Sequence, residues 1–357
     1  MSGGIDSTVA AIMLHQQGFE VVGITMKTWD YADTGVAAKG KKETGCCNLD
    51  SFNDARRAAV DYGFPHFILD IREEFTGSVI DNFVEEYLAG RTPNPCVMCN
   101  THIKWRALLK RADALGCDYI ATGHYARIAQ AENSRFFIRK GEDLNKDQSY
   151  VLWGLEQDLL SRTLLPLQGL EKPQIRKMAE EFGYPELAKK SESYEICFVP
   201  DNDYRSFLKK RVPLKVEILE GGAFVDKDGN ILGQHKGYPF YTIGQRKGLE
   251  IALGKPAYVT HIDPENNRIT LGDEVDLNRT QMHVSKINWQ KIEKLTAPME
   301  AMVKIRYKDG GHLAKLIPVE GNRVEVMFYG DVKGIAPGQS AVFYDGDDVI
   351  GGGIIQY

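Results

Sequence analysis

Residues 2–7, Ser-Gly-Gly-Ile-Asp-Ser, stand almost at the start of the chain and lead directly into a helical pattern. Val9, Ile12 and Met13 fall on one helix face, and Gly18 is placed to end that helix. Glycines let a backbone turn tightly and direct N–H groups at an anion, which the helix dipole also favours. The stretch lacks the Lys-Ser or Lys-Thr pair of a Walker A loop. It predicts a different kind of phosphate loop, with ordinary N-capping of a helix as the alternative.

The residues behind this loop alternate between helices and short apolar strands as far as about residue 200. That alternation is typical of an α/β domain with a doubly wound parallel sheet and helices on both faces. The predicted strands are Glu20–Met26, His66–Ile71 and Asp118–Thr122, and the predicted helices are Asp54–Tyr62, Thr76–Leu88 and Lys104–Leu115. A phosphate loop normally follows a buried strand, and here only Met1 precedes it. Because a missing strand would leave its neighbour unpaired, we expect that the start codon has been placed inside the gene.

The pattern changes after residue 200, which gives three predicted domains: 1–200, 201–275 and 276–357. The central domain is predicted to be small and α+β, with a helix at Asp203–Lys210 and strands at Lys215–Leu219, Ala257–Ile262 and Arg268–Leu271. The last domain alternates polar and apolar residues between Gly, Pro and Asp turns, which indicates a β-barrel-like fold. Its clearest strands are Met299–Tyr307, Arg323–Phe328 and Ser340–Tyr344.

The composition is that of an ordinary globular protein and excludes a disordered chain or a coiled-coil rod. Hydrophobic residues make up 43% and charged residues 26% of the 357 residues. The sequence contains neither a signal-peptide pattern nor an apolar run long enough to span a bilayer. We therefore expect a cytoplasmic protein that does not bind membranes. The formal net charge is −5, so contacts with a nucleic acid would have to come from local basic patches.

The cysteines are too few for a disulfide framework, and their spacing draws attention to chemistry instead. Cys96 and Cys99 form a CxxC pair within a proline-bracketed loop, and Cys197 stands far downstream. CxxC spacing suits a redox pair or two metal ligands. A structural zinc site would need further ligands, for which Cys46 and Cys47 are the available candidates. Cys117 opens an apolar strand and is interpreted as a core residue.

Several long strings, in order along the chain, resemble those of the tRNA-specific 2-thiouridylases, members of the PP-loop ATP pyrophosphatases. The strings are SGGIDS (2–7), GITMKTW (23–29), AGRTPNPCVMCN (89–100), ATGHYAR (121–127), NKDQSYVL (145–152), YEICF (194–198), TIGQRKGL (242–249), KIRY (304–307) and APGQSAVFYDGD (336–347). The resemblance implies 2-thiolation of the wobble uridine (position 34) of tRNA. ATP and Mg²⁺ would be used to adenylate the C2 carbonyl oxygen, and AMP and pyrophosphate would be released.

The same resemblance implies roles for individual residues. Cys99 would be the nucleophile and Cys197 the persulfide carrier, with a transient disulfide between them. The ATP site would comprise Ser2, Gly3, Gly4, Asp6, Ser7, Met26 and Gly123. The target base would meet Asn94, Pro95 and Cys96. Contacts with tRNA would come from His124, Lys146, Asp147, Gln148, Arg306, Tyr307 and Gln339.

One position departs from the family pattern, since many members carry Asp where this chain has Cys96. Cys96, Cys99 and Cys197 together would supply three thiolates, enough for a [4Fe–4S] cluster with one open iron. A cluster that binds sulfide is therefore an alternative to the persulfide route. The basic residues Lys104, Arg106, Lys110 and Arg111 could bind phosphates or form a solvated helix face.

The partners implied are tRNAs of the lysine, glutamate and glutamine type and a persulfide carrier or cysteine desulfurase. A monomer is expected. Two other function classes stay open: another PP-loop enzyme, such as an amide-forming ligase or lysidine-type tRNA synthetase, and a non-catalytic RNA-binding protein. The first would not need the pair of Cys99 and Cys197, and the second would not release pyrophosphate from ATP.

Overall fold

The computed structural model describes residues 1–29, 49–190, 196–199 and 202–356. The predicted zinc candidates Cys46 and Cys47 lie outside these ranges. The chain divides into two compact units, and each is assembled from separated parts of the sequence. The first unit contains residues 1–79, 96–203 and 347–349. The second contains residues 80–95, 204–346 and 350–357.

The first unit has mixed α/β structure, as the alternating pattern predicts. Its helices are α1 (Ile5–Gln16), α2 (Leu49–Tyr62), α3 (Arg72–Phe75), α5 (Pro95–Met98, which begins at the end of the second unit's first segment), α6 (Trp105–Leu115), α7 (Gln157–Ser161), α8 (Lys172–Glu181) and α9 (Pro185–Ala188). Its strands are β1 (Gly23–Lys27), β2 (His66–Asp70), β3 (Ile120–Ala121), β4 (Ala126–Gln130), β5 (Phe136–Lys140) and β6 (Thr163–Leu164). Strands β1 and β2 pair in parallel, β3 and β6 pair in parallel, and β4 and β5 form an antiparallel hairpin.

Helix α1 carries the apolar face that anchors the phosphate loop. Ile5, Val9 and Ile12 are spaced along one face of α1 and are buried. They belong to the same core cluster as Ile175 and Ala179 of α8. The loop at residues 2–4 therefore leads into a helix that is fixed by burial of its apolar side.

Two of the predicted helices begin with π-helical turns. Residues Thr76–Ile80 form a π-helix ahead of α4 (Asp81–Leu88), and residues Cys99–Lys104 form another ahead of α6. A π-turn adds one residue to the helical repeat and is frequent at functional sites. In the second case the π-helix begins at the predicted nucleophile, Cys99.

The second unit combines α4 with two helices and two sheets. The helices are α10 (Tyr204–Arg211) and α11 (Pro213–Ile218). The first sheet has the order β8-β7-β10-β9, built from β7 (Gly222–Val225), β8 (Ile231–His235), β9 (Tyr258–Asp263) and β10 (Arg268–Gly272). Phe83 and Tyr87 of α4 are buried, and their rings contact Phe207 and Tyr204 respectively.

The second sheet closes into a six-stranded barrel. Its strands are β11 (Asn278–Trp289), β12 (Met299–Lys304), β13 (His312–Val319), β14 (Arg323–Lys333), β15 (Ser340–Asp345) and β16 (Asp348–Gln356). The order is β11-β14-β13-β12-β15-β16, and β16 pairs back onto β11. Along β12, Ala301 and Val303 are buried while Glu300 and Met302 are exposed, as expected for a strand with one face in the core.

The predicted strand Lys215–Leu219 is wrong, since residues Pro213–Ile218 form α11. The sequence Leu-Lys-Val-Glu-Ile alternates apolar and polar residues and so mimics a strand. Pro213 sits at the first turn of the helix, where a missing N–H costs nothing. Val216 is buried while Leu214 and Ile218 are exposed, so the alternating apolar residues do not form one buried strand face here.

The predicted fold class is confirmed: the first unit has mixed α/β structure with parallel strand pairs, and the strands after residue 277 close into a barrel. Within the described ranges, the helices are all too short or too polar to cross a bilayer.

Candidate active site

The phosphate loop is shaped by close backbone contacts at Gly3. Gly3 has a φ of +67°, in the left-handed region that favours glycine. A Cβ at this position would lie 2.0 Å from the carbonyl oxygen of Ser51. Gly4 is the N-cap residue of α1, and among the described residues none caps this helix with its side chain. The N–H groups in the first turn of α1 are therefore not capped by the N-cap side chain, which suits them to bind an anion.

Hydroxyl groups line the same loop. The backbone N–H of Ser2 donates to Oγ of Ser7 at 2.9 Å, and the two serine Oγ atoms lie 3.2 Å apart. Ser7 Oγ also donates to the carbonyl of Gly4 at 3.2 Å. Uncapped N–H groups and hydroxyls fit the phosphates of ATP, and the oxygens of Asp6 and the serines are of the kind that Mg²⁺ binds.

Gly123 approaches the loop from the other side. A Cβ at Gly123 would lie 2.7 Å from the carbonyl carbon of Asp6 and 2.9 Å from the N atom of Ser7. The predicted ATP residue Gly123 is thus packed directly against the first turn of α1. Met26 is half-buried near the carboxyl end of β1, the end at which parallel sheets bind ligands.

Asp6 is held by two residues that the sequence analysis did not select. Lys172 Nζ lies 2.7 Å and 2.9 Å from the two carboxylate oxygens, and the Tyr125 hydroxyl donates to Oδ1 at 2.5 Å. Tyr125 stands inside the ATGHYAR string, which was a usable signal. Lys172 is the first residue of α8, and apart from its position before Pro173 the sequence gives no sign of a functional role.

A second lysine contacts the loop. Lys190 Nζ donates to the carbonyl of Gly3 at 3.3 Å and to Asp54 Oδ2 at 3.0 Å. Lys190 is also the last described residue before the segment that leads to Cys197. Its ammonium therefore joins the loop at Gly3 to helix α2.

The two predicted catalytic cysteines lie on segments that pack against the same short helix, α3. Cys99 is buried at the start of the π-helix Cys99–Lys104, and that π-helix contacts α3. Phe75, the last residue of α3, is fully buried, and its ring meets the edge of the Phe198 ring with centroids 5.8 Å apart. Cys197 immediately precedes Phe198 and is half-buried. Helix α3 thus anchors both cysteine segments.

The cysteines that the structure describes carry no disulfide, so the implied Cys99–Cys197 bond is not formed here. Across the described ranges, no three His, Cys, Asp or Glu side chains come together as a metal-binding group. Cys96, Cys99 and Cys197 therefore do not fit an iron–sulfur cluster in this conformation.

Cys96 and His124 share a cationic neighbour, Lys104. Cys96 is exposed, and the surrounding protein raises the pKa of its thiol while the Lys104 ammonium lowers it. Burial lowers the pKa of His124 to about 3, and Lys104 adds to that effect. His124 is half-buried, the centroid of its ring lies 5.2 Å from that of Trp105, and its Nδ1 lies 2.9 Å from Thr122 Oγ1. His124 is therefore neutral at physiological pH and would contact RNA by a hydrogen bond, not by charge.

The predicted tRNA-contacting turn at residues 146–148 is tied into the first unit by its own side chains. Gln148 Oε1 accepts from the backbone N–H of Tyr125 at 2.9 Å, and the Gln148 N–H donates to the Tyr125 carbonyl at 2.8 Å. Asp147 accepts from the backbone N–H and the hydroxyl of Ser149. Gln148 is hence connected, through Tyr125, to Asp6 of the phosphate loop.

Asn100 links the same region to the cysteine helix. Its Nδ2 donates at 3.0 Å to the carbonyl of Val151, in the 3₁₀-helix Ser149–Leu152. Asn100 is buried, and its Oδ1 has no partner among the described residues. The residue after Cys99 thus fixes the π-helix against the turn that carries Gln148.

In the second unit, Gln339 supports the segment that was predicted to meet the target base. Its Nε2 donates to the carbonyls of Thr92 and Pro93 at 3.0 Å and 2.9 Å. Asn94 is half-buried and Pro95 is buried. Gln339 therefore has a structural partner, in addition to any contact that it makes with tRNA.

Two more predicted tRNA residues, Arg306 and Tyr307, lie in the turn that follows β12 and are exposed. On helix α6, Arg106, Lys110 and Arg111 are also exposed, and Arg106 pairs with Glu156 at 2.8 Å. Both groups are accessible to a large anionic partner, so their exposure is compatible with the predicted RNA contacts.

Comparisons with known proteins cover the whole chain. Family models described as a tRNA methyl transferase HUP domain, a tRNA methyl transferase PRC-barrel domain and an aminomethyltransferase beta-barrel domain match residues 1–201, 205–273 and 279–355. The tRNA-specific 2-thiouridylase of Cytophaga hutchinsonii is 60% identical over 357 residues, which is all of this chain and 96% of the relative. Those of Amoebophilus asiaticus and Salinibacter ruber are 59% and 52% identical, over 100% and 99% of this chain and 94% and 92% of the relatives. The chain belongs to the family of tRNA-specific 2-thiouridylases.

Proposed function

We propose that this chain replaces the C2 oxygen of the wobble uridine of tRNA by sulfur, in a reaction driven by ATP. Family membership supports the overall reaction. The observation that supports the chemistry is the pairing of an uncapped glycine loop with two cysteine segments anchored on one helix, α3. An amide-forming ligase or an RNA-binding module would need the first feature at most, and not the second.

In the first step, the C2 oxygen of the uridine attacks the α-phosphorus of ATP. A new P–O bond forms, the bond between the α- and β-phosphates breaks, and pyrophosphate leaves. The N–H groups of the first turn of α1 and the hydroxyls of Ser2 and Ser7 would hold the phosphates. Bound Mg²⁺ would offset phosphate charge during this transfer. The step turns a poor leaving group, the carbonyl oxygen, into AMP.

In the second step, sulfur enters from a persulfide on Cys197. The terminal sulfur attacks C2, and AMP leaves with the original C2 oxygen. The Cys99 thiolate then attacks the inner sulfur of Cys197, so that the S–S bond of the persulfide breaks and the outer sulfur stays on the base. The two cysteines are oxidised to a disulfide while the transferred sulfur is reduced. An external thiol must reduce this disulfide before the next turnover.

The base and the tRNA would be held by the residues that the family resemblance implies. Asn94, Pro95 and Cys96 would meet the uridine, which must leave its stack to react. Lys146, Arg306 and Tyr307 are candidates for contacts with the RNA backbone or bases, since basic and aromatic side chains serve those roles. A persulfide carrier or a cysteine desulfurase would recharge Cys197.

The test is thiolation of an unmodified tRNA by the full chain, with Mg-ATP and a persulfide source, read by nucleoside mass spectrometry. Cys99→Ser and Cys197→Ser should lose 2-thiouridine while tRNA binding stays within about twofold of the unaltered chain. Cys117→Ser is the matched control and should retain activity, because Cys117 belongs to neither cysteine segment. Substantial 2-thiouridine from either active-site variant would reject the persulfide assignment.

The cluster alternative is tested on the same protein. Purification without oxygen followed by iron analysis should give an active chain that lacks stoichiometric iron. Iron that co-purifies with activity, and is lost in a Cys96→Ser variant together with that activity, would replace the persulfide route by sulfide bound to a cluster.

A further inference from the structure

The phosphate loop contains a carboxylate that is bound by a buried cation. Both oxygens of Asp6 contact Lys172 Nζ, at 2.7 Å and 2.9 Å. The two partners are unequally exposed: 8% of the Lys172 side chain is accessible, against 32% of that of Asp6. The anion therefore reaches the solvent side of the loop, while its counter-charge is supplied from the protein interior.

Lys172 is held in this place against local preferences. It is the first residue of α8, where the helix dipole disfavours a cation. Burial of an ammonium group is also costly unless it is paired. The backbone N–H of Lys172 donates to Asp143 Oδ2 at 3.0 Å, and its ammonium lies 5.5 Å from the centre of the Tyr125 ring. A residue that opposes both helix preference and burial, yet is fixed from several sides, points to a functional demand.

The demand is electrostatic. A triphosphate that enters the loop meets the Asp6 carboxylate next to the N–H groups of α1. Without a counter-charge, this carboxylate would repel the phosphates at short range, where screening is weakest. Lys172 cancels the charge of Asp6 before any metal arrives, and Tyr125 fixes the orientation of the same carboxylate through its hydroxyl.

We propose that Lys172 is a positioning residue of the phosphate loop, which neutralises and orients Asp6 so that the loop accepts the triphosphate. The proposal rests on the proposed ATP-dependent function and extends it to a residue outside the SGGIDS string. The proposal predicts how nucleotide binding by a Lys172 variant depends on Mg²⁺. When Lys172 is replaced by a neutral residue, Mg²⁺ can supply the missing positive charge, so nucleotide binding without metal suffers more than binding with it.

The experiment measures equilibrium binding of a fluorescent, non-hydrolysable ATP analogue to the full chain, once in EDTA and once in Mg²⁺. Lys172→Met should weaken binding at least tenfold in EDTA and less than threefold in Mg²⁺. Lys172→Arg keeps the charge and should stay within about threefold of the unaltered chain in both buffers. Lys177→Met is the matched control on the same helix, since Lys177 is 78% exposed and pairs with Glu181 at the surface; it should change neither value.

A double variant guards against simple loss of folding. Asp6→Asn with Lys172→Met removes both charges, so no unpaired charge stays in the protein, and circular dichroism should match that of the unaltered chain. Its binding in EDTA should exceed that of Lys172→Met alone. If Lys172→Met weakens binding equally in both buffers, or in neither, or if the double variant recovers nothing, the inference is overturned. If the unaltered chain binds the analogue in neither buffer, the proposed ATP-dependent function fails as well.

Discussion

Gly123 offers a direct test of how closely the phosphate loop is packed. A methyl group at Gly123 would lie 2.7 Å from the carbonyl carbon of Asp6, whereas ordinary contact begins at 3.4 Å. The first turn of α1 or the backbone at Gly123 must therefore retreat by about 0.7 Å. Overpacking of this kind costs roughly 1–3 kcal/mol, which corresponds to about a 5- to 150-fold change in an equilibrium constant. Because both contacting groups are backbone of the proposed ATP site, the cost is expected in nucleotide binding.

The assay is binding of the same ATP analogue, in Mg²⁺, to Gly123→Ala and to Gly169→Ala. Gly169 has no atom within 4 Å of an added Cβ, so its variant controls for the loss of a glycine. Gly123→Ala should weaken binding at least fivefold, with tRNA binding unchanged, and Gly169→Ala should stay within twofold of the unaltered chain. The reasoning is refuted if Gly123→Ala binds the analogue as tightly as Gly169→Ala while both remain folded.

Three further outcomes are expected. The unfolded His124 ring takes up a proton near pH 6.5 and the folded ring only at about pH 3, so the free energy of unfolding should fall as the pH falls through this window. In urea titrations, His124→Asn should therefore lose less free energy of unfolding between pH 7 and pH 4.5 than the unaltered chain. Trp105→Phe removes the hydrogen bond from Nε1 to Thr163 Oγ1 (2.8 Å) in the core, so its free energy of unfolding should drop by about 1–3 kcal/mol; an unchanged urea midpoint would contradict this. Gln339→Leu removes the hydrogen bonds to two backbone carbonyls ahead of the predicted base-binding segment. The rate of 2-thiouridine formation should then fall by roughly tenfold or more, with little change in the thermal midpoint. An unaltered rate would contradict the view that Gln339 supports this segment.

The fold could be predicted where the spacing of apolar residues is compatible with only one type of secondary structure. In α1, Val9 and Ile12 are buried at the predicted spacing, and along β12 burial alternates as the sequence does. The prediction failed at Pro213–Ile218, because a short amphipathic helix and a strand can share the same alternation. The π-helical start at Cys99 was not predictable either, since a single extra residue per turn leaves no signature in hydrophobic spacing.

The candidate site could be predicted as far as it lies within contiguous strings. Gly3 and Gly123 stand in such strings, and the structure packs Gly123 against the helix turn that follows Gly3. Lys172 escaped notice because its role depends on a contact with Asp6 across a long stretch of sequence, which no local pattern encodes. Gln148 stays a predicted RNA contact, and its hydrogen bonds to the Tyr125 backbone show a structural role that the sequence did not indicate.

The second unit is assembled from separated segments, and this has a consequence for synthesis and for the design of fragments. Helix α4 emerges from the ribosome long before α10, whose Phe207 and Tyr204 rings contact its buried Phe83 and Tyr87. During translation the Phe83 and Tyr87 rings lack these partners, and are exposed or transiently covered, until α10 has been synthesised. A fragment that ends near residue 200 would leave them without their partners permanently. We therefore expect such a fragment to aggregate, whereas one that also replaces Phe83 and Tyr87 by polar residues should be more soluble.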